Sequence, residues 1–263
     1  MNTFSWPMRC YLGAMSFFLL APILIIVAAA FTPGEFVTFP PQGFSLRWFG
    51  KVLSDPTFLG AIWNSLLLAC VATLCAAVLA VPATLAIVRG RVAGGRLIQV
   101  FMLSPLSLPG IILAIGLLFL NAKVGLPSFW ALVAGHTVVI IPYIMRTVFA
   151  VYKSANPEIE HAAAVHGASP GRVFLHVTLP LLKPGLMAGG IFAFLMSLDE
   201  VAVSLLLSNT KTTTLPVSIL SYLVYNHDPA VAAISTLQIL IAVVALFILE
   251  RRFGVRNLMF TSR

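Results

Sequence analysis

Residues 158–180 read EIEHAAAVHGASPGRVFLHVTLP, and long apolar runs lie on both sides of them. Two glutamates, an arginine and three histidines are gathered here. Pro157 sits at a first helical turn, where its missing N–H is no loss, and good helix formers fill 158–166. Gly167 stands where a helix end favours a left-handed residue. Ser169 and Pro170 then read as an N-cap and a first helical position. A second short helix runs to about Thr178, with Pro180 near its end. The spacing therefore predicts two short helices joined by a tight Gly-Ala-Ser-Pro turn. Ile159, Ala162, Ala163 and His166 share one face of the first helix. The alanines leave that face nearly flat, and Glu158 and Glu160 flank it. Such a knob suits a groove on a separate protein. The competing reading is an amphipathic loop that rests on the membrane surface or on its own helices.

What surrounds the loop decides the fold class. Of 263 residues, 60% are hydrophobic and only 9% charged. That is too few charges to hydrate a soluble surface, since soluble domains carry about 25%. Six runs are long and apolar enough to cross a bilayer: about 10–31, 60–88, 97–120, 129–151, 186–208 and 229–249. The chain thus reads as an all-α polytopic membrane bundle of six helices in one domain, 1–263. The first run exceeds the length of a signal-peptide core and reads as an uncleaved helix. Arg9, Arg89, Arg91, Arg96, Arg146, Lys153, Arg172, Lys183, Arg251, Arg252, Arg256 and Arg263 fall on one side of such a bundle. Only Arg47, Lys51, Lys123 and Lys211 fall on the other. The arginine-rich side is then cytoplasmic, and both termini with it. The net charge of +8 serves topology and anionic lipid rather than nucleic acid. Residues 32–58 form an irregular outer connection, in which Phe44, Leu46, Trp48 and Phe49 suggest a short piece at the outer interface. Trp63 and Trp130 belong to an aromatic belt, and 209–216 reads as an outer loop.

Chemistry-bearing residues are sparse. Asp199 and Glu200 fall about mid-way along the fifth run, where an acid costs about 2.5–3.5 kcal/mol to insert. With Ser197 and Asn64 they are the candidates for a translocation pathway; the competing readings are an internal hydrogen bond or ion pair that holds helices together, or a helix end nearer the outer surface. His136 reads as a packing histidine. Cys10, Cys70 and Cys75 sit in apolar runs, and no metal site is expected from them or from His161, His166 and His176. No catalytic set is spaced for chemistry. The phosphate-binding pattern G-x-x-x-x-G-K-[ST] is missing, so any ATP and Mg²⁺ would belong to another chain.

The loop resembles the EAA loop of bacterial ABC-importer permeases: Glu-Ala-Ala, three residues, Gly, nine residues, Ile-x-Leu-Pro. Here Ala162-Ala163, Gly167 and Val177-Thr178-Leu179-Pro180 match that spacing. The motif's glutamate falls on His161, with Glu160 just before it, which leaves open which of the two makes the polar contact to a partner. Asn64-Ser65-Leu66, Ser197-Leu198-Asp199-Glu200 and Thr214-Leu215-Pro216 are similar to the spermidine/putrescine-type subgroup, which also includes iron(III) and phosphonate importers. The resemblance covers about 45–255, with a core of about 60–250 and a cytoplasmic coupling loop at 153–185. It implies a type I importer permease in the bacterial inner membrane, with ATP-binding subunits, a second permease subunit and a solute-binding protein as partners. The solute would be small, with a polyamine favoured. It also implies that Glu158, Ile159, Glu160, His161, Ala162, Ala163, His166 and Gly167 couple the chain to the ATPase. A rival reading is an ion-gradient-driven transporter using Asp199, Glu200 and His136, but the sequence shows no paired halves.

Overall fold

The structure, a computed structural model, describes residues 6–90 and 92–253. The described residues are mostly helical and contain no strand. Five helices are long and apolar enough to cross a membrane: α1 (Trp6–Ala29), α3 (Pro56–Val88), α6 (Ser128–Ser154), the rod Pro170–Leu198, and α12 (Ala230–Phe253), whose qualifying stretch is Ala230–Ile248. A sixth is a bent pair, α4 (Gly95–Leu103) with α5 (Gly110–Val124).

That bend corrects the expected straight span at 97–120. After α4 a 3₁₀ turn covers Ser104–Ser107, and α5 leaves at 113°. Pro109 is the cause. It denies Leu108 the helical region, and Leu108 is extended (φ −98, ψ 139).

The fifth expected span, 186–208, is also redrawn. Pro180 ends nothing. The rod contains α8 (Pro170–Val173), a π turn over Phe174–Thr178 and α9 (Leu179–Leu198) without interruption. In the π turn the N–H of Leu179 bonds the carbonyl of Phe174, five residues back. Pro180 then falls in the first turn of α9, a position that tolerates proline. The rod then stops at Leu198, and a separate short helix, α10 (Ala202–Leu207), follows. Asp199 and Glu200 therefore lie in a break between helices rather than mid-helix.

Contacts divide the chain into two compact units. The larger comprises Ala61–Val217 and the chain from Ala242. Its core sets Ala72, Ala76 and Ala80 of α3 against Ile140, Ile144 and Val148 of α6. Alanine at every fourth position makes a low ridge that a neighbouring helix can approach closely. The α6–α9 crossing is tighter still. A Cβ on Gly185 would lie 2.7 Å from the Thr147 carbonyl oxygen, and one on Gly189 2.8 Å from the Ile144 Cα. Gly185-x-x-x-Gly189 is thus a small-residue seam that admits backbone contact.

The smaller unit comprises the chain up to Gly60 together with Ser218–Ile241. Its helix α2 (Arg47–Ser54) falls within the stretch expected to hold a short piece, and Trp48 packs inward rather than standing free. It is buried, and its indole N–H donates to the Thr32 carbonyl at 3.0 Å. Lys51 bonds Asp228 at 2.7 Å. Its partner's turn follows α11 (Leu215–Tyr225), a helix that begins inside the stretch expected to be loop.

Candidate functional site between the fourth and fifth spans

The first helix of the loop after α6 and the turn that follows it fold as the sequence predicts, with small shifts, whereas the expected second short helix is the start of the Pro170–Leu198 rod. Helix α7 spans Glu158–Val165, so Pro157 occupies the N-cap position rather than the first turn. The Asn156 side chain accepts the Glu158 N–H at 3.0 Å and serves one of the helix's free donors. Glu158 and Glu160 sit in the first turn, where the helix dipole favours negative charge. Gly167 is left-handed, with φ +83. Ser169 holds the N-cap position before Pro170, but its hydroxyl makes no capping bond.

The outward face carries the expected residues. Glu158, Ile159, His161, Ala162 and His166 are exposed, and Ala163 is half-buried. The His161 ring lies 3.7 Å from the Glu158 carboxylate, a contact open to solvent on both sides. Val165, not among the expected residues, is 86% exposed. An apolar side chain that bare on a polar loop was the signal for it.

Glu160 faces the other way. Its carboxylate lies 3.0 Å from the Arg89 guanidinium, with only 14% and 17% of the two side chains exposed. Arg89 Nε donates to both Glu160 Oε2 (3.2 Å) and the Tyr152 hydroxyl (3.0 Å). The Tyr152 hydroxyl donates to the carboxylate at 3.0 Å, and the Thr178 hydroxyl at 2.6 Å. The guanidinium also stacks 4.2 Å from the centre of the Tyr152 ring. Burial pushes the Glu160 carboxyl up, but the bonds from Thr178 and Tyr152 and the Arg89 charge outweigh it, and the group titrates below its ordinary value. One carboxylate thereby joins the end of α3, the last turn of α6, α7 and the π turn. A cleft of about 440 Å³ opens beside it, lined by Arg89, Tyr152, Glu160, His161, Phe174 and other residues. Arg89, Tyr152 and Thr178 were not legible as site residues. The available signal was a carboxylate on the inner face of a helix in a chain poor in charge.

The four pathway candidates are not gathered into one site. Asn64 donates to the carbonyls of Lys211 (2.9 Å) and Thr213 (3.1 Å), so it pins a loop. Ser197 is buried and bonds His136 Nδ1 at 2.8 Å, while Nε2 of the same ring bonds Ser204 at 3.0 Å. A neutral imidazole has one donor and one acceptor nitrogen, and two hydroxyls satisfy both. His136 is thus a packing histidine, and it clasps α9 to α10 across the break. The Glu200 carboxylate accepts the Val203 N–H at 3.1 Å in the first turn of α10. Asp199 is exposed.

Comparison with known proteins agrees with this architecture. The chain is 30% identical over 240 residues to the putrescine transport system permease protein PotI of Escherichia coli K12, covering 88% of this chain and 85% of that one. It is 28% identical over 241 residues to the spermidine/putrescine transport system permease protein PotC of Haemophilus influenzae, covering 91% and 93%. Among solved structures, a bacterial ABC transporter involved in import of the acidic polysaccharide alginate superposes with a TM-score of 0.72 at 18% identity, over 96% of this chain and 100% of that one. Residues 78–256 match the model of the binding-protein-dependent transport system inner membrane component. That match spans more than half of the sequence, and the chain accordingly belongs to this family of multi-pass inner-membrane permease subunits.

Proposed function

We propose that the chain moves a polyamine-type cation inward, powered by ATP hydrolysis in a separate subunit that docks on α7. The observation that carries this reading is the exposed, small-residue face of α7 on a loop locked from within by Glu160. Ala162 and Ala163 let a partner groove approach. Ile159 and Val165 give it apolar contact, and Glu158, His161 and His166 give it polar contact. Glu160 is committed inside, so His161 takes over the outward polar role at the motif's glutamate position. Gly167 sets the turn. ATP and Mg²⁺ belong to the docked subunit, a second permease chain completes the pathway, and a solute-binding protein delivers the cargo. Both termini are cytoplasmic, in keeping with the arginine distribution. The polyamine reading is supported by the relatives named for putrescine and spermidine. Asp199 is the acid left free to meet a passing cation; Glu200 and Ser197 brace the break that carries it, and Asn64 pins the loop at Lys211 and Thr213.

The test is isolation of the tagged chain with its genomic neighbours. An ATPase subunit should co-purify, and Ala162→Arg should release it. Putrescine uptake into proteoliposomes should require ATP and the binding protein. Uptake that persists without any ATPase and collapses with the proton gradient would assign the chain to ion-driven transport instead.

A further inference from the structure

We infer that Arg89 is a positioning residue of the transport cycle: it ties the 158–178 loop to α3, which carries the loop's displacement to the 209–215 segment at its far end. The inference rests on the reading of α7 as the ATPase-docking element. Covalent structure already joins α7 to α6 through Ala155–Pro157, and α8 runs unbroken into α9. Helix α3 has no such link, because Arg89 and Glu160 are 71 residues apart in sequence. The polar tie between them is the buried ion pair, stiffened by Tyr152 and Thr178. The opposite end of the same helix is also bonded. Asn64 donates to the carbonyls of Lys211 and Thr213, and the Ser65 hydroxyl accepts the Leu215 N–H at 2.7 Å. Between Ser65 and Arg89 lie about 36 Å of helix. A helix resists compression, so a rod bonded at both ends moves both attachments together. A pair that served folding alone would stabilise the loop and leave energy transfer untouched.

The complete transporter in proteoliposomes, with its binding protein and putrescine as probe, separates these roles. Arg89→Gln should retain the ATPase subunit but lower putrescine moved per ATP hydrolysed by about tenfold, the scale of a typical coupling between sites. Asn64→Ala should lower the same ratio. The exchanged pair Arg89→Glu with Glu160→Arg should recover most of what either single change loses. A wild-type ratio in Arg89→Gln or in Asn64→Ala overturns the inference. So does an exchanged pair no better than the single variants, or an Arg89→Gln complex that sheds its ATPase. Wild-type chain that retains no ATPase would instead refute the docking reading. Wild-type liposomes that move no putrescine would refute only the solute, and stimulation of ATP hydrolysis by the binding protein then replaces the ratio.

Discussion

Glu160 and Glu200 are both partly buried glutamates in a chain with only eight acids, yet they are held in opposite ways. Glu160 draws its partners from three other elements, 71, 8 and 18 residues away. Glu200 accepts one backbone N–H three residues ahead. A carboxylate satisfied over long range welds helices together, while one satisfied locally shapes a helix start and little else. The two regions share a scaffold, the α6–α9 seam, and the most damaging change is one that breaks it. In Gly189→Leu the new Cβ meets the Ile144 Cα and the Thr147 side chain, and the backbones must separate. The expected loss is at least about 3 kcal/mol, the upper end for overpacking. It should appear as poor assembly and a lowered melting temperature in detergent. Unchanged melting would mean that the helices cross more loosely than the seam requires.

Removing the long-range weld comes next. Glu160→Gln leaves Arg89 without its counter-charge and should cost about 2–3 kcal/mol, slightly discounted because the pair is not fully buried. The pH profile supplies an independent check. The Glu160 carboxyl is held below its ordinary value of 4.5. Its contribution is therefore complete above 4.5 and disappears as pH falls through the lowered value. Wild type should lose stability on that acid limb, and Glu160→Gln should lose less there. Identical profiles would show that the pair does not stabilise the fold.

His136→Leu cuts the clasp across the 199–201 break and strands two buried hydroxyls. The expected cost is smaller, about 1 kcal/mol, because a helical serine can turn to the carbonyl four residues back. Thermal melts of the purified chain measure it. A loss as large as that of Glu160→Gln would make the break as strongly welded as the loop.

The comparison also explains what could be read from the sequence. The helix–turn–helix of the loop was legible because Pro157, Gly167 and Pro170 act through local backbone rules. Ile159, Ala162 and His166 of the outward face followed from helical periodicity, but the exposure of Val165 and the inward turn of Glu160 did not. The spans were legible because hydropathy averages over about 20 residues, and the same averaging hid their breaks. Pro109 bends the third span at one residue, inside a window that remains apolar. The stop at Leu198 has neither proline nor glycine to announce it. Arg89 was visible only as a loop charge, since nothing local relates it to a glutamate 71 residues away. The Gly185–Gly189 seam was hidden for the same reason: its meaning depends on Thr147 across the crossing.

The finest contrast lies between two neighbours in the break itself. The Glu200 oxygen accepts the Val203 N–H, and the amide oxygen of glutamine can do the same. Glu200→Gln should therefore leave melting unchanged, while Glu200→Ala should cost about 0.5–1 kcal/mol, as the loss of a helix cap does. Asp199 is exposed and carries no such duty. Asp199→Asn should leave melting unchanged and yet slow uptake of a polycation by severalfold, because only the charge is removed. Uptake assays normalised to assembled protein separate the two residues. If Glu200→Gln slows uptake and Asp199→Asn does not, then the locally satisfied acid faces the solute, and capping and transport share one carboxylate.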